Sequence, residues 1–580
     1  GKRGGRPPPT EESIARAFNS KVLTGHLRAA VRQVSDRDGG GVLLPTDTDP
    51  KSGQTVLEVL RSKHPDLRPS NVGAPGDTSF EHYDHHPVAM PLDITGDIVE
   101  SVASKLSGAA GPSGTDSVSL RNWLLRFGVE SEHLRKEMAA WAEWLANGHP
   151  SYGSYRALMA CRLVALDKQP GVRPVGIGEI YRRLIAKCVL KVCGSQATAA
   201  CGSLNLCAGL PAGIEGAVHA VGKRWDHAVE RRAKQITARL LAEADPDEPT
   251  EDPSEAPQTT PDSPMTYGAD GTPADMEELL EELPPDALLL VDARNGFNEL
   301  SRHAMLWTVH HLWTAGARSV FNCYRHSAQL VVRNPGEECT ILASKEGVTQ
   351  GCPYAMVVYG VTMLPLSARL KAAEPSLLQP WYADDLAFLG PADAQDRAMA
   401  ILEREGPHRG YFPERDKSIA VCLPVDKERV QAILADYDFR YEDGFRYIGG
   451  FLGTPQARQK WLDSKIDQWV NTTKTLAKIA RKYPQTAYAG FVKSLMSEWQ
   501  YVQRVCEDTS DSFAPVEHAI KHDLIPALLG GGPGTEEGPE SDKLRVLFGL
   551  STKHAGIGIA DPTATARDNF ESSLGCTEIL

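Results

Sequence analysis

Long apolar runs are missing from this chain. No uninterrupted apolar stretch among its 580 residues is long enough to cross a bilayer, and the N-terminus, Gly1-Lys2-Arg3-Gly4-Gly5-Arg6-Pro7-Pro8-Pro9, has no signal-peptide core. No membrane partner is expected, and an intracellular location is. Cysteine is scarce too: the 11 present form no C-x-x-C pair. Cys188, Cys193, Cys201 and Cys207 follow one another at spacings of 5, 8 and 6 residues, which argues against a disulfide framework or a zinc site and for core or interface thiols. There is no internal repeat. The first residue is not Met, and residues 564–580 read as a helix that runs to the last residue, so a fragment of a longer product is expected.

Positive charge is in deficit overall, with a formal net charge of −13. Taken whole, that argues against a polyanionic partner. The acid is not evenly spread, however. Residues 241–285 hold 14 Asp or Glu and no Lys or Arg, so without them the net charge becomes +1. That stretch is rich in Pro, Ser and Thr and cannot bury enough apolar surface to fold, which predicts a disordered acidic insertion. Residues 151–240 carry 14 basic and 5 acidic residues, and residues 458–493 carry 8 and 2. Basic faces of this kind suit phosphate backbones, although solvated helix faces have the same composition.

The remainder is ordinary for a globular protein, 41% hydrophobic and 24% charged, and long enough for more than one domain. Periodicity predicts an amphipathic helix over 10–35, helices over 96–107 and 117–147 with Trp123, Trp141 and Trp144 on apolar faces, and a hairpin over 162–177. Two basic helices follow, starting at Gly178 and Ala212. Beyond the insertion come a strand ending at Asp292, helices over 299–328, a helix over 354–372, a hairpin around residue 384, a helix over 391–405 and a strand over 417–421. Strand, helix, hairpin, helix and strand on one sheet is a ferredoxin-like pattern.

The chemistry concentrates in that second half. Tyr382-Ala383-Asp384-Asp385 lies between Trp381 and the apolar run Leu386-Ala387-Phe388-Leu389. Burying one unpaired carboxylate costs several kcal/mol, roughly, and two side by side cost more. A divalent cation makes such a pair tolerable because it inverts the local electrostatics. Asp292 closes another apolar run, Ala287-Leu288-Leu289-Leu290-Val291. Two buried strands delivering acids to one place suggest a two-metal phosphoryl-transfer site.

With these residues in view, residues 100–570 resemble reverse transcriptases and are most similar to non-LTR (LINE-type) retrotransposon polymerases. The resemblance implies an α+β right-hand polymerase: N-terminal extension over 1–95, fingers and first part of the palm over 96–240, the acidic insertion over 241–285, palm over 286–455, and helical thumb with C-terminal segment over 456–580. It implies that Asp292, Asp384 and Asp385 hold two Mg2+ ions, or Mn2+, with Asp384 bridging. Phe297 falls where an aromatic lies under the incoming sugar, with Gly296 keeping the floor clear. Gln350-Gly351 falls in the template-and-nucleotide block, and Arg173, assisted by Lys168, grips the triphosphate. Arg182 and Arg183 are expected to meet template phosphate. Lys417 is a possible general acid near the pyrophosphate, and Tyr447 to Gly453, with Gly449 and Gly450 at its turn, resembles the primer grip. The implied partners are an RNA template, a DNA or RNA primer and dNTPs; a nuclear location would follow for a eukaryotic element.

Asn298 departs from the family, which has Asp there, and the acidic insertion is not part of its pattern. No endonuclease constellation is visible in the first 100 residues, and too little chain follows the thumb for a ribonuclease H. An RNA-dependent RNA polymerase, or a retired palm kept as an RNA-binding scaffold, are the alternatives. The former usually carries Gly-Asp-Asp, and the latter would not need three intact acids.

Overall fold

A computed structural model describes residues 10–35, 41–68, 90–168, 171–243, 283–334, 336, 338–530 and 539–578. Most of the predicted acidic insertion lies outside the described residues. These residues are α+β, with helices surrounding two five-stranded sheets.

The first sheet joins β1 (Val42–Leu43), β2 (Cys161–Asp167), β3 (Val172–Gly178), β5 (Ala328–Val332) and β6 (Thr340–Ser344). The central sheet joins β4 (Asp286–Val291), β7 (Trp381–Tyr382), β8 (Asp385–Pro391), β9 (Ile419–Val421) and β10 (Arg440–Glu442), in the order β10-β9-β4-β8-β7. β4 pairs antiparallel with both β8 and β9. Without the added edge strand β10 this is the ferredoxin-like order, the one expected from the element sequence.

Both faces of this sheet are covered. Ala287, Leu289, Val291, Leu386 and Phe388 point toward helices Ala355–Ala373 and Ala392–Arg409, and Leu288, Ala387 and Leu389 point the other way, toward Trp225, Trp469 and Trp499. The pleat sends alternate side chains to opposite faces, so a strand buried on both sides must be apolar throughout, as 287–291 is. A two-stranded hairpin, β11 (Gly444–Tyr447) and β12 (Gly450–Gly453), connects the sheet to the helix Pro455–Ala480 and the C-terminal helices.

Several expectations need correction. Residues 10–35 form two helices, Glu11–Leu23 and Leu27–Val34, because the chain turns at Gly25 with φ +83°. Trp123, Trp141 and Trp144 are 43%, 36% and 53% exposed. The inner faces of their helices instead use Leu120, Leu124, Ala139, Ala142 and Ala146. Among the described residues one helix, Ile180–Cys201, is long and apolar enough on average to cross a membrane, although Arg182, Arg183, Lys187 and Lys191 interrupt its apolar run. Its Leu184, Ile185, Val189 and Ala197 are packed in the main core. Cys188, Cys193, Cys201 and Cys207 are buried thiols; burial pushes Cys188, Cys201 and Cys207 up to about 12.

The N-terminal helix pair is strapped to the C-terminal layer. Phe18 is fully buried and fills the space that Gly490 leaves, with Val31 beside it, while Glu11 and Glu12 pair with Lys478 and Lys482. The exposed ion pairs add little, and the packing carries the contact. Phe18→Ala should therefore cost about 3–5 kcal/mol of local stability. Hydrogen exchange across residues 484–505 should accelerate accordingly, and unchanged protection there would show that the strap is not held by this ring.

Candidate active site

The two acidic segments meet because of strand register. β4 pairs with β8 through Val291↔Leu386, and β7 pairs with β8 through Tyr382↔Asp385. One step beyond Val291 the register sets Asp292 beside Asp385. Ala383 and Asp384 make the two-residue turn, with Ala383 at φ +56°, a left-handed geometry that suits a tight hairpin. Gly296 makes room for this turn: a Cβ there would lie 2.8 Å from Asp384 Cβ and 3.0 Å from its Oδ2. The far side of Asp292 is fixed by the 412–418 segment. Glu414 N–H donates to the Asp292 carbonyl at 2.8 Å, and Asp292 N–H donates to Ser418 Oγ at 3.2 Å.

All three carboxylates line one polar cavity of about 800 Å3. Desolvation at its wall, followed by the charges of Asp384 and Asp292, pushes the solvent-accessible Asp385 up to about 6. Desolvation also raises Asp292 and Asp384, and Lys168 offsets part of the effect on each. Asp385 thus resists ionising beside Asp384 and Asp292, and all three are disfavoured as anions by desolvation, which is the electrostatic condition that a dication relieves. Among the described residues no group of three or more His, Cys, Asp or Glu is arranged as a ready cage for an ion. Mg2+ does not require one, since it usually keeps waters and takes one or two carboxylates plus substrate phosphates. The donor set fits such an ion.

The cavity also gathers most of the other predicted residues. Lys168, Arg173, Gly296, Phe297, Gln350 and Lys417 line it. Phe297 is half-buried, its ring 5.0 Å from that of Tyr359. Gly351 has φ +103°, and a Cβ there would strike the Gly176 carbonyl at 2.8 Å, while Gly176 N–H donates to the Gln350 carbonyl at 3.0 Å. A glycine at 351 is thus what lets the Gln350 segment lie against β3. Lys417 ends a short 3-10 turn, Arg415–Lys417, and pairs with Glu414, so it precedes its strand rather than starting it.

Two expectations do not hold. Arg182 is 2% exposed, donating to Met159 Sδ, and Arg183 donates to the Ser107 and Ala109 carbonyls around Gly108. Both guanidiniums serve the interior and cannot meet template phosphate; a count of basic residues along a helix does not separate inward from outward faces. Gly450 is buried between Val218 and Val505, which leaves exposed Gly449 as the accessible tip of the hairpin. The Ile448 carbonyl at this turn accepts from Tyr501 Oη at 2.7 Å, so the hairpin is seated on the C-terminal helices.

Other residues at the site were missed. Tyr411 Oη donates to the Asp384 carbonyl at 3.2 Å, and Tyr359 Oη is buried beside Asp384 with no hydrogen-bond partner among the described residues. Lys63 and Glu414 also line the cavity. Tyr359 falls in a continuous apolar helix, where nothing separates it from core, and Lys63 comes from the N-terminal extension.

No family model matches the chain, and no curated protein matches it significantly. Solved structures similar to it include apo telomerase from Candida tropicalis, at 11% identity and a TM-score of 0.31 over 73% of this chain and 70% of that one. Telomerase from Candida albicans, in complex with a fragment of telomeric RNA, is similar at 10% identity and a TM-score of 0.31 over 71% and 67%. Likenesses this distant leave fold and function to be argued from the chain itself.

The Asp385 value has a consequence for stability. Its folded value of about 6 lies above the ordinary 3.8, so the folded state resists ionisation. The resulting destabilisation is absent below about pH 4 and complete above about pH 6. Asp385→Asn in EDTA should therefore raise Tm by roughly 1–3 °C at pH 8, a modest figure because the group faces the cavity, with the gain fading toward pH 4. A gain of equal size at both pH values would remove the electrostatic explanation.

Proposed function

We propose that this chain is an RNA-directed DNA polymerase of the retrotransposon type, which extends a primer 3′-hydroxyl with dNTPs. The observation that carries the reading is the register of β4 and β8, which sets Asp292 beside Asp385 and Asp384 in a cavity also lined by Lys168, Arg173 and Phe297. Acids beside cations, with an aromatic on the wall, match the parts of a nucleoside triphosphate: metal-bound phosphates, free phosphate oxygens and a sugar. The ordered sequence resemblance supports the RNA template, the DNA product and the division into fingers, palm and thumb.

Asp292 and Asp384, with Asp385 beside them, would hold Mg2+ or Mn2+. When bound, such ions neutralise phosphate charge and favour a nucleophilic 3′-oxygen. The remaining work falls to this chain's own groups. Arg173, exposed on β3, offers a bidentate fork to phosphate, and Lys168 on the same hairpin offers a point charge. Gln350 can hydrogen-bond without adding charge. Phe297, backed by Tyr359, presents a ring where a 2′-hydroxyl would collide. Lys417, paired with Glu414 in the segment that holds Asp292, would serve as the proton donor to a departing pyrophosphate.

Two sets of variants test the reading. Asp292→Asn and Asp384→Asn remove one charge each at constant volume. Each should slow single-turnover extension on poly(rA)/oligo(dT) at least about a thousandfold while primer–template binding persists; near-normal rates would rule out the metal assignment. Phe297→Val should raise the ratio of rNTP to dNTP incorporation while extension continues. If kcat/KM for dGTP and GTP keeps its ratio and only Tm falls, Phe297 is ordinary core. A wild type that prefers rNTPs would point to an RNA polymerase.

A further inference from the structure

The N-terminal extension enters the same cavity. Thr55 and Glu58 form a capping box that starts the helix Val56–Ser62, and Val56, Val59 and Leu60 bury against Leu163, Ala165 and Val172 of the first sheet. The helix ends at Lys63, which lines the cavity with Ser62 before it. The Lys63 carbonyl accepts from Asn295 Nδ2 at 2.8 Å and from Asn298 Nδ2 at 3.0 Å. This explains Asn298, where related polymerases carry Asp: a carboxylate has no proton to donate and would face a carbonyl oxygen. Five residues on, Arg68 pairs with Glu299, donates its backbone N–H to Glu346 Oε1 at 2.9 Å and lies 4.7 Å over the Phe412 ring. The segment is thus bolted to the loop that follows Asp292.

The Lys63 ammonium makes no hydrogen bond or ion pair among the described residues. Burial, and then the charges of Lys168 and Lys417, hold its pKa below the ordinary value, and Asp49 and Glu414 offset this only through space. Asp49 is engaged by Ser52, and Glu414 by Lys417. A half-buried cation facing other cations across a polar cavity is stabilised by a polyanion.

We propose that Lys63 binds the phosphates of the incoming nucleoside triphosphate, so that residues 42–68 complete the nucleotide pocket. The proposal rests on the polymerase reading for the identity of the ligand, while the anion site itself stands on the geometry. Full-length Lys63→Met should raise the apparent Kd for dTTP in single-turnover extension by about tenfold, the loss expected for one charge-assisted hydrogen bond, with little change in maximal rate or primer–template affinity. Lys63→Arg should recover most of the affinity. Calorimetric binding of inorganic tripolyphosphate without template separates the two ideas. If the wild type extends no primer but binds tripolyphosphate about tenfold more tightly than Lys63→Met, the anion site stands and the polymerase reading fails. If wild type and Lys63→Met bind tripolyphosphate and dTTP equally, the proposal is overturned. A loss of binding that Arg does not restore, accompanied by a lowered Tm, would overturn it too, by making Lys63 structural.

Discussion

The cost of desolvating Asp292, Asp384 and Asp385 together, increased at Asp385 by the charges of the other two, is the constraint around which this site is arranged. Nothing in a folding chain gathers three carboxylates for their own stability, and all three are held away from their ordinary titration range in the direction that marks an unwelcome charge. They stay together because the sheet beneath them is over-determined. Six paired positions between β4 and β8, with apolar side chains packed into core on both faces, hold the two strands together beneath the acids. Core packing thus supports a charge cluster that would otherwise disperse, the usual relation between a scaffold and a strained site.

The surroundings of the cavity follow from the same logic. Each element brought to its edge is anchored elsewhere, by apolar packing or by a buried network. Arg302 is one such network: it donates to the Gly347 and His326 carbonyls and to Ser344 Oγ, and so ties the helix after Phe297 to the segment leading to Gln350. Its backbone N–H donates to Glu346 Oε2, while Arg68 N–H takes Oε1. One buried carboxylate therefore links the N-terminal extension, the floor of the cavity and the Gln350 segment. The extension is part of the site's framework rather than an appendage.

The central sheet was legible in the sequence because its strands are short, apolar and closed by acids. A run such as Ala287 to Val291 leaves few alternatives, and Tyr382 to Asp385 marks its own turn. Residues whose role depends on facing direction were not legible. Arg182 and Arg183 look like surface cations on a basic helix, and only the Ser107–Ala109 turn and Met159, distant in sequence, show that they point inward. The tryptophans of 117–147 illustrate the converse, large apolar residues left partly exposed while leucines and alanines of the same helices face inward. Lys63 was invisible for a third reason: its meaning depends on Asn295 and Asn298, more than 230 positions away.

The central claim is that the acids hold cations while the basic rim holds a triphosphate. Anomalous diffraction from crystals of the full chain grown with Mn2+ and a nonhydrolysable dTTP analogue tests both halves at once. The expected result is manganese signal beside Asp292 and Asp384, with the triphosphate lying against Arg173 and Lys63 and the sugar over Phe297. Manganese spread over other acidic surfaces, or a nucleotide bound away from this cavity, would contradict it.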